Sequence, residues 1–573
     1  MNAAQMVLQS LAQHGVDTVF GYPGGCIMPL YDALVDDDRI CHVLCRHEQA
    51  CALAADGYAR ASGRVGVCIA TSGPGATNLI TGVANAHRDS VPMVVITGQT
   101  PAALMGTDAF QEVDVLGMTL DIVKHSYLVT DANTLASTLD DAFELAASGR
   151  AGPVWLDIPK DVQLAEVDPG HALPSITTRS AEPAVAPPAQ IDKALALLRA
   201  AEKPLLYSGG GVSRANAEAE FRAFAATAGL PHVNTLNGIG NPGRDAPDHL
   251  GMLGLHGSQA ANRAVHDCDL LLVVGARLDD RATGRLDGFA PGARLVHIDI
   301  DTAEFNKLRR SDAVVRGDLN TILAGLTQAL DAQPLAIDAW RGQCRQWRTR
   351  HGFATPLPGD AISGPAFVRT LSDRAPAGTT VACDVGQHQM WVAQYFDFEA
   401  PRCHLSSGGL GTMGYGLPAA IGAQFAHPQR PVVNVAGDGS FQMNLQELAT
   451  LGRYRLPVRI VVLDNACLGM VRQQQELFYA NRESQIDLDD NPDFVALGRA
   501  FGIAAESICH GRDMGPAIDR LFAHRGPCLL HVAVARADNV WPTVRAGSAN
   551  IDMIDAATVA GRENTMSISP AQA

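Results

Sequence analysis

VVNVAGDGS (residues 432–440) and RIVVLDN (459–465) are the two stretches on which the reading of this chain turns. Each is a short β-branched run ending in a polar turn, the pattern of a buried parallel strand that opens at its C-terminal end. Asp438 and Asn465 stand 27 positions apart (465 − 438), each just past its strand. In an open α/β sheet that edge is where ligands bind. A carboxylate, an amide oxygen and glycine-flanked backbone N–H groups suit a hard divalent cation holding a diphosphate. Mg²⁺ takes one or two protein oxygens and fills its octahedron with phosphate and water. The same residues are common in ordinary strand-to-helix turns, so Gly-Asp-Gly alone decides little; the second strand with its Asn carries the weight.

Working outward, similar runs recur at Val65–Ala70, Val94–Thr97, Val154–Ile158, Leu205–Tyr207, Leu270–Val274 and Leu295–Ile298, alternating with helical patterns. The alternation predicts an α/β fold of doubly wound parallel sheets. Breaks at 164–190, which include AEPAVAPPAQ, and at 333–364, centred on TPLPGD, read as linkers. They divide the 573 residues into three blocks, 1–165, 190–335 and 365–545, followed by a tail with little apolar periodicity. The first and third blocks look alike in size and alternation. A net charge of −16 argues against a nucleic-acid or anionic-membrane binder, which would need a basic surface. The opening MNAAQMVLQSLAQHGVD reads as an amphipathic helix rather than a secretory signal, and no run of about 18 apolar residues suggests a membrane span. The 12 cysteines form no CxxC pair, as expected of buried thiols in a reducing cytoplasm.

Nine further motifs extend the pattern over nearly the whole chain: FGYPGG (20–25), RHEQA (46–50), ATSGPGATN (70–78), TDAFQE (107–112), DIPKD (157–161), GMLGLHG (251–257), GARLDDR (275–281), DVGQHQMW (384–391) and SSGGLGTMGYGLPAA (406–420). In this order, together with GDGS and DN, the chain resembles the catalytic subunits of acetohydroxyacid synthases, thiamine diphosphate (ThDP) enzymes. The resemblance implies a pyrimidine-binding first domain, a central FAD-binding domain and a third domain for diphosphate and Mg²⁺. It implies decarboxylation of pyruvate and condensation of the two-carbon unit with pyruvate or 2-ketobutyrate, giving 2-acetolactate or 2-aceto-2-hydroxybutyrate for branched-chain amino acids. A pyruvate oxidase-like ThDP-flavin enzyme is the alternative. The implied partners are a second copy of the chain, as homodimer or homotetramer, and a small regulatory subunit; no nucleic acid or membrane is implied.

Residue by residue, Glu48 matches the carboxyl that bonds the cofactor aminopyrimidine. A desolvated Glu suits that task, although beside Arg46 and His47 it would by itself read as a surface charge. Gly73, Pro74 and Asn78 match the turn on the pyrimidine side, and Met413 a bulky support under the cofactor. Gln387, His388, Gly439 and Ser440 match the diphosphate side, and Asp438, Asn465 and Cys467 the metal positions. Arg150, Gly210, Gly211, Thr235, Leu236, His256, Gly275, Ala276, Arg277, Asp279, Asp299 and Asp318 match flavin contacts; the glycines after Leu205–Ser208 suit a dinucleotide phosphate without being GxGxxG. Phe110 and Gln111 match residues at the reacting centre. Lys160 and Arg281 match cationic groups for a ketoacid carboxylate; the alternative is a surface charge paired with Asp157, Asp161 or Asp279. The chain departs from the family at Gln474, where Trp is usual, and more mildly at Leu255 and Leu278, which keep apolar bulk in place of Met and Phe.

Overall fold

Each β-branched run becomes a strand in the computed structural model, which describes residues 1–167, 185–243, 246–331, 333–354, 356 and 359–559. The first sheet holds β1 (Thr18–Gly21), β2 (Cys41–Leu44), β3 (Gly66–Ala70), β4 (Met93–Gln99), β5 (His125–Leu128) and β6 (Pro153–Pro159) in the order β2-β1-β3-β4-β6-β5. The second holds β7 (Pro204–Ser208), β8 (His232–Asn234), β9 (His249–Met252), β10 (Leu270–Val274), β11 (Arg294–Asp299) and β12 (Ala313–Arg316), ordered β12-β11-β10-β7-β8-β9. The third holds β13 (Thr380–Cys383), β14 (His404–Ser406), β15 (Val432–Gly437), β16 (Val458–Asp464), β17 (Ala504–Ile508) and β18 (Cys528–Ala533), ordered β14-β13-β15-β16-β18-β17. Every strand pair within these sheets is parallel. Central strands such as β4, β6 and β15 are buried along their whole length, as helix layers on both faces require.

Numbered within each sheet, the first and third share one order, 2-1-3-4-6-5. The second reads 3-2-1-4-5-6 from its other edge, the order of dinucleotide-binding folds. The glycines after β7 and β10 therefore meet at the point where strand order reverses, although their spacing lacks the usual fingerprint.

The first and third lobes pack through the helices Glu48–Ser62 and Gly416–Ala426. Ala50, Leu53, Ala54, Tyr58, Leu417, Ala420 and Ile421 belong to one apolar cluster. Gly57 and Gly422 allow the close approach. A Cβ on Gly57 would fall 2.6 Å from the Ala419 Cα, and one on Gly422 would fall 2.7 Å from the Tyr58 amide nitrogen.

The expected linker at 333–364 is corrected: it contains the helix Asp338–His351. Its apolar contacts with the central lobe come from Trp340, Cys344 and the partly buried Trp347, a stripe too thin to read among so many polar and basic residues. Arg341 and Arg345 each reach Asp248 at 2.7 Å, and Trp340 Nε1 donates to Pro204 O at 2.9 Å. The other expected linker falls largely on 168–184, outside the described residues. The end of the third block and the tail fasten to the central lobe. Val544 N donates to Leu255 O at 2.9 Å, and in the tail Asn550 Nδ2 donates to Ala282 O at 2.7 Å. Among the described residues, no helix is long and apolar enough to cross a membrane.

The helix contact makes Gly57→Val a sharp test of how the outer lobes are joined. Overpacking there should lower unfolding stability by about 1–3 kcal/mol in urea denaturation.

Candidate active site

β15 and β16 are neighbours, with Gly437 opposite Leu463, so Asp438 and Asn465 stand side by side at the C-terminal edge of the third sheet. Asp438 is buried, and its carboxyl is pushed up to about 7 by burial and by the nearby Asp464, against the opposing bond from Asn491. Asn491 Nδ2 donates to Asp438 Oδ2 at 2.9 Å and to Asp464 Oδ1 at 3.2 Å. Asn465 Nδ2 donates to Gln387 Oε1 at 3.3 Å, while its Oδ1 accepts from Cys467 N at 3.3 Å. Burial pushes His388 down to about 3, leaving a neutral ring whose Nε2 accepts from Gly437 N at 3.2 Å. The Ser440 hydroxyl closes the turn on Gly437 at 3.2 Å. A divalent cation held at this edge would favour the ionised form of the Asp438 carboxyl. Among the described residues, no cluster of three His, Cys, Asp or Glu side chains is arranged for a metal. Mg²⁺ is a cation that takes one or two carboxylate or amide oxygens and fills its shell with phosphate and water.

Met413 lies beside this edge, its Cε 3.9 Å from where a Cβ on Gly439 would be. Asp384, pushed up to about 6 by burial, fixes that loop by accepting from Gly414 N at 2.8 Å and Gly416 N at 3.1 Å.

At the corresponding edge of the first sheet, Glu48 opens its helix behind the N-cap His47. Asn78 Nδ2 donates to Glu48 Oε2 at 3.0 Å, and a Cβ on Gly75 would stand 3.5 Å from Oε1. The Gly73–Pro74 turn packs on Gln111; a Cβ on Gly73 would fall 2.8 Å from the Gln111 Cβ. The Glu112 carboxylate clasps this loop by accepting from the Gly106 and Ala109 amides, and Phe110 projects from it 87% exposed. Lys160 opens the short helix after β6. Of the suggested charge partners, Asp157 bonds Thr97 Oγ1 at 2.7 Å and Gln99 Nε2 at 2.8 Å, Asp161 caps Ala102 N at 3.0 Å, and Asp279 caps the Arg281 and Ala282 amides. The Arg281 side chain is 67% exposed, with Asp280 at 3.4 Å.

Where the order of the central sheet reverses, a cavity of about 1180 Å³ opens between the three lobes. Arg150, Gly210, Gly211, Thr235, Leu236, His256, Gly275, Ala276, Arg277, Asp279, Arg281, Asp299 and Asp318 all line it. Gly211 and Gly275 touch: a Cβ on Gly211 would lie 2.7 Å from the Gly275 Cα, and Gly275 has φ +57°. Burial pushes His256 down to about 4 and leaves its Nδ1 without a partner. Burial also pushes Asp299 up to about 6. Arg150 joins Glu304 at 2.8 Å and Asp301 at 3.2 Å on the rim. The volume exceeds the roughly 300–1,000 Å³ of ordinary small-molecule sites, and glycine-cradled strand ends with unpartnered polar atoms suit a dinucleotide. Gln474, Met470 and Leu255 complete one wall.

Three family models match the chain. Residues 1–118, 191–326 and 384–532 match the N-terminal TPP binding domain, the central domain and the C-terminal TPP binding domain of thiamine pyrophosphate enzymes. The chain is 52% identical to the acetolactate synthase isozyme 2 large subunit of Escherichia coli K12, over 97% of this chain and all of that protein. The chain belongs to the acetolactate synthase large-subunit family of thiamine pyrophosphate enzymes. The acetolactate synthase large subunit of Corynebacterium glutamicum is 44% identical over 96% of this chain and 90% of its own length. The probable large subunit of Methanocaldococcus jannaschii is 42% identical over 94% and 93%.

Within this acetolactate synthase frame, the structure gathers the expected positions into three groups: Glu48, Asn78, Gly73, Pro74 and Gln111 in the first lobe; Gln387, His388, Met413, Asp438, Gly439, Ser440, Asn465 and Cys467 in the third; and the thirteen cavity residues. Phe110 and Lys160 lie at the first-lobe edge, outside these groups. Sequence reasoning missed Asp384, Gln473, whose Oε1 accepts from Gln387 Nε2 at 3.0 Å, and Asn491. Asp384 sits inside a motif quoted above. Nothing local marks Asn491.

Asp157, pushed up to about 7 from 3.8 chiefly by burial, sets a pH test. Its folded value lies above its unfolded one, so the folded chain keeps a proton that the unfolded chain releases between those limits. Stability from this site falls as pH rises through that window and is level above it. Asp157→Asn removes this component. Urea midpoints measured across that range should show the variant gaining on the parent as pH rises.

Proposed function

We propose that this chain catalyses acetolactate synthase chemistry. It removes CO₂ from pyruvate and joins the remaining two-carbon unit to the carbonyl of a second 2-ketoacid, yielding 2-acetolactate from two pyruvates or 2-aceto-2-hydroxybutyrate with 2-ketobutyrate. The observation that carries this is the near-full-length relation at 52% identity to an acetolactate synthase large subunit, with Glu48 and the Asp438–Asn465 pair in place at matching sheet edges. When bound, ThDP supplies an electron sink for the decarboxylated fragment, Mg²⁺ ties its diphosphate to the protein, and FAD is a structural occupant of the central cavity.

Glu48 would bond the pyrimidine ring of the bound cofactor. Asn78 keeps one of its oxygens occupied, so the other is the one offered. Asp438, Asn465 and the Cys467 backbone hold the cation, and Gly439, Ser440, Gln387 and His388 the diphosphate. Met413, tethered through Asp384, supports the cofactor. Arg281 and Lys160 receive the ketoacid carboxylate, and Phe110 and Gln111 shape the reacting centre. An aromatic ring as exposed as Phe110 on a clasped loop suits a partner surface, so we read the working unit as at least a homodimer. A small regulatory subunit and a cytoplasmic location complete the reading.

Carboligation assays with pyruvate alone should give acetolactate without an electron acceptor; flavin reduction by pyruvate instead would mark an oxidase. Glu48→Gln should lower turnover by about 10²–10⁴-fold while the protein still binds ThDP.

Gln474 offers the acceptor a smaller, polar wall than an indole. One methylene in an apolar pocket is worth roughly 1–3 kcal/mol, so this chain should discriminate weakly for 2-ketobutyrate. In competition assays Gln474→Trp should raise the acetohydroxybutyrate-to-acetolactate ratio about tenfold or more. A parent enzyme already strongly favouring acetohydroxybutyrate would reject this account.

A further inference from the structure

The segment 486–494 has no part in the reaction above, yet it closes over the cation end of the third lobe. Cys467 and Asp487 form an antiparallel bridge; Leu468 N donates to Ile486 O at 2.8 Å and Leu488 N to Ala466 O at 3.0 Å. The segment therefore runs alongside the turn that carries Asn465 and Cys467. Just past this contact comes Asn491, followed by Pro492, which biases Asn491 toward extended backbone. Asp493 then caps the helix Phe494–Ala500, accepting from Val495 N and Ala496 N at 2.9 Å. Phe494 is buried, edge-on to Phe441 at 5.9 Å and stacked on His531 at 5.7 Å. Phe441 closes the short helix that Asp438 opens. The backbone of Asn491 is thus pinned on one side by the metal turn and on the other by an aromatic stack built on the Asp438 helix.

Its side chain is equally fixed. Gln442 Nε2 donates to Asn491 Oδ1 at 2.8 Å. With that oxygen taken, the amide nitrogen faces two carboxylates, which only accept. Nδ2 donates to Asp438 Oδ2 at 2.9 Å and to Asp464 Oδ1 at 3.2 Å. The other Asp464 oxygen is drawn away by His531 Nε2 at 3.0 Å, and His531 Nδ1 is in turn bonded to Ser507 Oγ at 2.8 Å. One amide therefore bonds both carboxyls, one of which is the proposed cation ligand.

We infer that Asn491 is a positioning residue for the divalent cation: by bonding Asp438 Oδ2 it sets the rotation of that carboxylate, and by bonding Asp464 it keeps the second carboxylate from displacing it. The inference rests on the reading of Asp438 and Asn465 as the cation site. Partners of metal ligands typically contribute 10–100-fold to metal affinity, because the orientation of a ligand carboxylate is otherwise fixed at the expense of binding.

The test is Mg²⁺ titration of ThDP uptake, followed by quenching of tryptophan fluorescence, in full-length protein stripped with EDTA. Asn491→Leu keeps the shape and removes the donors; Asn491→Ala guards against misfit of the larger side chain. Both should raise the half-saturating Mg²⁺ concentration about tenfold or more, with ThDP uptake at saturating Mg²⁺ returning to the parent level and the far-ultraviolet circular dichroism unchanged. Gln442→Leu, which frees the Asn491 amide to rotate, should fall between parent and Asn491→Leu. Titrations that superimpose on the parent overturn the inference. So does a deficit that no Mg²⁺ concentration relieves, since a purely structural role would give that result. If the parent itself takes up ThDP equally well in EDTA, the cation reading of Asp438 and Asn465 fails, and the inference fails with it.

Discussion

Arg60 is the charge on which the mutual arrangement of the three lobes rests. It reaches Asp56 at 2.6 Å and Asp89 at 2.7 Å, both without side-chain exposure. Asp89 also accepts from Asn237 Nδ2 of the central lobe at 2.9 Å and from Gly408 N of the third at 3.0 Å, while Tyr415 donates to Asp56 at 2.9 Å. Arg214 of the central lobe adds a bond to the Asp89 carbonyl. A buried ion pair is often no more stabilising than an apolar contact, but removing one partner leaves an uncompensated charge and costs about 3–5 kcal/mol. Here that cost enforces geometry. Three sheets must converge on the same two carboxylates, and the wall of the central cavity, which includes Asp89 and Gly408, is built from the same residues.

The repeated strand order of the outer lobes divides the chemistry between equivalent places. In one lobe the C-terminal edge presents Glu48, steadied by Asn78; in the other it presents Asp438 and Asn465. The carboxyl proposed to face the pyrimidine and the one proposed to hold the cation thus occupy related edges with different surroundings. Glu48 has an amide donor, Asn78, and lies close to Gly75. Asp438 is buried, next to a second carboxylate, Asp464. The helix pair joined at Gly57 and Gly422 sets how these two lobes lie within one chain.

Much of this was legible before the structure, and for a physical reason. Parallel strands buried on both faces need continuous apolar runs, so Val432–Ala436 and Arg459–Leu463 could be read directly, and the turns at their ends name their own chemistry. Dinucleotide-type order in the central sheet could not be read, because the crossing of Gly211 and Gly275 depends on which strands become neighbours. The helix Asp338–His351 escaped because three apolar contacts suffice when arginines grip Asp248. Asn491 escaped because its meaning arises only where a loop folds back across 53 positions (491 − 438) onto Asp438. The family motifs named the flavin positions, yet only the folded chain brings all of them around one cavity.

The tail has a mechanical consequence. The central lobe is already joined to the third by the chain running through 333–364. The end of the third block, anchored where Val540 N bonds Gln473 Oε1 at 2.8 Å, and the tail return to it: further along, Val544 and Asn550 fasten to Leu255 and Ala282. These ties lie apart from the Arg402 bonds to Ser213 O at 3.2 Å and Asn216 Oδ1 at 2.6 Å. The central lobe is thus fastened to the third at several separated places, which resists any change in the gap between Gln474 and Arg281 across the cavity they both line.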